Sequence, residues 1–101
     1  MIKVEIKNEG KKFSSLTVKG HAGSGEYGHD LVCAGVSTVL VGSCNALEEV
    51  QKFEIIIEEG FASIKDKEEI SFHDEVFIET MIKSLLTMEE SYGKFIQIKN
   101  L

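Results

Sequence analysis

The spacing of apolar residues changes period along this chain, and that constrains the fold more than any other feature. Ile2-Lys3-Val4-Glu5-Ile6-Lys7 alternates apolar and charged residues, the pattern of a strand with one buried face. Asn8 to Lys12 supply a turn, and Phe13 to Lys19 return as a second strand with Leu16 and Val18 on one side. From Leu31 the period becomes helical. Val32, Val36, Val39, Leu40, Leu47 and Val50 form an apolar stripe on a helix expected to run to Gln51. Phe53 to Glu59 reads as a strand and Phe61 to Asp66 as its antiparallel partner, a hairpin closed by the tight turn Glu59-Gly60. A second helix is expected from His73 to Tyr92. Phe77, Met81, Leu85 and Met88 stand at helical spacing there, Ile78, Ile82 and Leu86 lie beside them, and Gly93 follows as a stop. Lys94 to Lys99 alternates as a last strand. The order β-β-α-β-β-α-β predicts an α+β two-layer sandwich of about five strands and two helices.

At 101 residues the chain is expected to form one domain, residues 1–101. Hydrophobic residues make up 43% and charged residues 28%, which separates it from a disordered chain. The net charge of -6 argues against direct nucleic-acid binding, which needs clustered cations for phosphates, and suits a basic partner. Met1 to Lys7 reads as a strand rather than a signal peptide, and no apolar run is long enough to cross a bilayer. A cytoplasmic protein with reduced thiols is the expectation. Cys33 and Cys44 fall on one predicted helix, about 16 Å apart along its axis, too far for a disulfide.

The segment between the second strand and the first helix carries the chemistry. Four of the nine residues from Gly20 to Gly28 are glycine (Gly20, Gly23, Gly25, Gly28), so the backbone there can approach a ligand closely. Asp30 is placed to cap the helix by accepting the amide of Val32 or Cys33. Cys33 thus stands in the first helical turn, where the helix end favours an anion and a nearby imidazole can take the thiol proton. His21 and His29 compete for that role. A strand end holds an imidazole at fixed geometry, which favours His21. Ser37 follows Cys33 by one turn on the same face. Cys44, Met81 and Met88 read as core, His73 as a surface residue, and the Glu-Glu pairs at 48, 58, 68 and 89 as solvated faces and turns. His21, His29, Asp30 and Cys33 match no established zinc spacing, so neither metal nor other cofactor is expected.

These residues carry a resemblance. Gly20-His21-Ala22, a glycine-containing loop, and Gly28-His29-Asp30-Leu31-Val32-Cys33-Ala34-Gly35-Val36-Ser37 are similar to the two half-motifs of the bacterial ribosomal-processing cysteine protease family, Prp. Members of that family are of about this length and order their strands and helices similarly. The resemblance implies a cysteine endopeptidase that removes an N-terminal extension from a large-subunit ribosomal protein, number twenty-seven in the bacterial series. Carried over by position, Cys33 is the nucleophile, His21 the base, and Asp30 and Ser37 support the site. The loop bearing Gly23, Gly25 and Gly28 would act as a lid, the protein as a homodimer, and the cleft would take a bulky aromatic residue before the cut.

Two other readings share this pattern. A non-catalytic module could dock on a ribosomal protein without cutting it, in which case Cys33 would be an ordinary thiol. A thiol-based redox or acyl-transfer protein would have a reactive Cys33 but no peptide cleavage.

Overall fold

Each segment expected as a strand forms one, and each of the two helical segments forms a helix. They are β1 (Ile2–Glu9), β2 (Lys12–Lys19), α1 (Leu31–Ala46), β3 (Phe53–Glu58), β4 (Phe61–Asp66), α2 (Phe72–Tyr92) and β5 (Ile96–Asn100). The computed structural model describes residues 1–21 and 30–101. The expected α+β order of five strands and two helices holds, and the strands make one sheet ordered β3-β4-β2-β1-β5.

Alternation explains the register. Ile6, Leu16 and Ile64 stand in one row across β1, β2 and β4, with Val4, Val18 and Ala62 in the next. All six are buried, and with Val32, Val36 and Leu40 of α1 and Ile78, Met81 and Leu85 of α2 they form one core. Lys3, Lys7, Lys19 and Lys65 on the alternate positions are exposed, so the sheet has one covered and one open face. β1, β2, β4 and β3 pair antiparallel, whereas β5 returns parallel to β1, with Ile2 opposite Ile96. A parallel return needs a crossover, which α2 supplies.

α1 ends at Ala46, short of the expected Gln51, and the cause lies on the other helix. A continuing helix would turn the N–H groups of Glu48 and Glu49 back onto α1. Instead they donate to Asp74 Oδ1 at 2.9 Å and Oδ2 at 3.1 Å. Leu47 stays buried, but Val50 falls in a short 3-10 turn (Val50–Lys52), is 51% exposed and leaves the stripe. Asp74 itself sits in the first turn of α2, which starts at Phe72, one residue earlier than expected. The Ser71 hydroxyl accepts the Asp74 N–H at 3.1 Å as its cap.

Gly35 makes room for α2, since a Cβ there would lie 2.8 Å from Met88 Cε, whereas Gly42 faces open space. Gly93 ends α2 with a right-handed backbone, φ -58°. β5 starts two residues later than expected, and Glu89 is no solvated residue: its carboxylate accepts the Ile98 N–H at 2.7 Å.

Candidate active site

α1 opens as its sequence predicts. The Asp30 carboxylate accepts the Cys33 N–H at 3.1 Å, and the Asp30 carbonyl accepts the Ala34 N–H at 3.0 Å. Those bonds fix the first turn, with Cys33 half-buried at the edge of the core. On the opposite wall β2 ends at Lys19, and the next residue, Gly20, turns the chain out of the strand with a φ of +96°. A Cβ on Gly20 would lie 2.5 Å from the Met1 carbonyl oxygen, so the residue before His21 must be glycine on steric grounds too. The Met1 amino group donates to the His21 carbonyl at 2.6 Å, which ties the backbone of His21 to the start of β1.

His21, Cys33 and Ser37 line one cleft of about 240 Å³. Its floor is apolar, formed by Ile2, Val18, Val36, Leu40 and Ala62, and its remaining wall is the β3–β4 hairpin from Ile57 to Phe61. Three of the four residues singled out for chemistry are therefore brought together from a strand end and a helix start. Asp30 stands behind Cys33 and acts on its backbone. Gly23, Gly25, Gly28 and His29 lie outside the described residues, and with them the expected lid and the rival base.

The hairpin wall was not legible in advance. Glu58 and Glu59 read as a turn and a solvated face, yet both line the cleft, as do Ile57, Gly60 and Phe61. The pairing of Lys19 with Phe61 brings them there, a contact over some forty residues that no local pattern encodes. Two larger hollows, of about 500 and 420 Å³, lie around Phe13 at the other end of the sheet. No cysteine or histidine among the described residues lines either one.

Elsewhere the ionisable groups are structural. Burial pushes the Cys44 thiol up, so it stays protonated. His73 is exposed, as expected, and its Nδ1 lies 2.9 Å from Asp74 Oδ1 and 3.8 Å from Glu48 Oε2. Glu48, His73 and Asp74 are the one set of three potential ligands among the described residues, but Asp74 already spends both oxygens on backbone amides. Burial works against the charge of Asp74. The Glu48 amide, the His73 ring and the Glu49 amide outweigh it and hold its carboxyl below the ordinary value.

Fold and site together define a small α+β protein with a cysteine and a histidine on one cleft. The sequence pattern of one family, cysteine protease Prp, matches residues 1–97. The ribosomal processing cysteine protease Prp of Staphylococcus aureus (strain Mu50) is 37% identical over 103 residues, covering 97% of both chains. That of Bacillus subtilis (strain 168) is 35% identical over 102 residues, covering 91% of this chain and 90% of its own. The fold also superposes on the crystal structure of the essential ribosomal processing protease Prp from S. aureus in complex with a covalently linked product peptide. That match has a TM-score of 0.90 and 35% identity, with both chains covered in full. This chain belongs to the cysteine protease Prp family and is a cysteine-type endopeptidase.

Proposed function

We propose that this protein removes the N-terminal extension of the large-subunit ribosomal protein number twenty-seven of its own bacterium, using Cys33 as nucleophile and His21 as base. The observation that carries this reading is the shared cleft: a strand end and a capped helix start, distant in sequence, present an imidazole and a thiol to one cavity. The likeness to ribosomal processing proteases over nearly the whole chain supports the substrate assignment.

The chemistry follows from the elements. His21 takes the Cys33 thiol proton, and the N-terminal end of α1 favours the thiolate that remains. The thiolate attacks the scissile carbonyl. Because the Cys33 amide already donates to Asp30, the first-turn amides of Leu31 and Val32 are the donors for the oxyanion. Protonated His21 then gives its proton to the leaving amine, and water releases the acyl group. Asp30 keeps the first turn rigid, and Ser37 offers its hydroxyl to the bound peptide from one turn below. The apolar floor, Val36 and Leu40 above all, takes the bulky side chain before the cut. The enzyme works in the cytoplasm, and as a homodimer whose mass light scattering would read directly.

The decisive experiment is mass spectrometry of the precursor after incubation with the wild type and with Cys33→Ala. One cut near the precursor's N-terminus, present with the wild type and absent with the variant, is the expected result. An intact precursor in both reactions would overturn the reading and favour a docking module.

A further inference from the structure

We propose that Gly60, in the β3–β4 turn, is a positioning residue: its bare Cα is the seat on which the His21 ring lies. The inference rests on the reading of His21 as the base and adds the element that orients it.

Three observations carry it. A Cβ built on Gly60 would stand 3.0 Å from His21 Nε2, 3.4 Å from Cε1 and 3.7 Å from Cδ2, so the ring edge rests directly against this backbone. The Gly60 carbonyl accepts the Gly20 N–H at 2.9 Å, which bolts the turn to the residue preceding His21. Among the described residues, the His21 ring makes no side-chain hydrogen bond or ion pair, so packing on Gly60 is what sets its orientation there. The imidazole of a base needs such a fixed seat, since an error of about 1 Å can cost two orders of magnitude in rate.

Glycine at a hairpin turn is commonly explained by backbone conformation alone, and the molecule contains its own control. Gly10 closes the β1–β2 turn with φ +63°, close to the +77° of Gly60, but a Cβ there meets nothing within 4 Å. Positive φ accounts fully for Gly10. Gly60 has a second requirement, and only that one concerns His21.

The test compares Gly60→Asn with Gly10→Asn, because asparagine tolerates positive φ better than other side-chain-bearing residues. Both variants, the wild type and His21→Ala are assayed for kcat and KM on the precursor, and for the pH profile of Cys33 alkylation by iodoacetamide. Gly10→Asn should match the wild type in both. Gly60→Asn should lose about tenfold or more in kcat with KM nearly unchanged, and its alkylation profile should move toward that of His21→Ala. If Gly60→Asn behaves like Gly10→Asn, the seat has no role and the proposal falls. If His21→Ala itself cleaves and alkylates like the wild type, the assignment of the base fails instead. Should Gly60→Asn melt below the assay temperature, Gly60→Ala against Gly10→Ala poses the same question with a single Cβ, and equal activities would overturn the proposal.

Discussion

Cys33 and Cys44 show how far environment outweighs residue type. They share α1, but Cys33 stands at a capped helix start on an open cleft and Cys44 is half-buried near the helix end, where burial raises its thiol. Thiolate, not thiol, reacts with alkylating agents. Iodoacetamide at about pH 7 is therefore expected to label Cys33 at least roughly tenfold faster than Cys44, read by peptide mapping over a time course. Equal labelling of the two would sink the claim that Cys33 is activated. Asp30→Ala should slow the labelling of Cys33, because the amide it holds at 3.1 Å is that of Cys33 itself. The sequence alone was sufficient for this cap: one carboxylate, three residues before the thiol, at the start of an apolar period.

At the scale of elements, the helix pair depends on one side chain. Asp74 is 0% exposed and accepts the amides of Glu48 and Glu49 while standing in the first turn of α2. Replacing it with alanine leaves two part-buried amides without their acceptor, a loss of about 2–4 kcal/mol, measurable as a fall in the urea midpoint with unchanged slope. The pH dependence has a definite sign. The carboxyl is held below its ordinary value of 3.8, so the folded state binds its proton less readily than the unfolded chain. Its contribution is fully present above that ordinary value and is lost as pH falls through the lower, folded one. Unfolding midpoints from pH 6 down to about pH 3 should thus decline less steeply for Asp74→Asn than for the wild type. A parallel decline would show that Asp74 is not charged in the folded protein.

For the whole molecule, charge acts on encounter rather than on fold. The chain carries -6 overall, and Glu58 and Glu59 stand at the cleft that would admit a basic ribosomal precursor. Attraction of this kind raises association rates and is screened over about 8 Å at physiological salt. Neutralising the pair as Glu58→Gln/Glu59→Gln is expected to lower kcat/KM about two- to fivefold through KM, with kcat unchanged and a flatter dependence on salt. A kcat change with the salt dependence intact would place the two carboxylates in the chemistry rather than in steering.

Local pattern by itself determined the order of the five strands and the two long helices, the alternation of β1 and β2 and the Asp30 cap, and it singled out His21 and Cys33 as candidates through their two half-motifs. These depend on side-chain periods and hydrogen bonds that reach only a few residues along the chain. Tertiary structure alone decided where α1 stops, because the acceptor that ends it, Asp74, arrives from about 25 residues away. It also decided the sheet order, with β5 parallel beside β1, and the placement of the β3–β4 turn against His21. In each case distant backbone groups compete for the same partners, and only the complete set of strand pairings and buried side chains settles which of them meet.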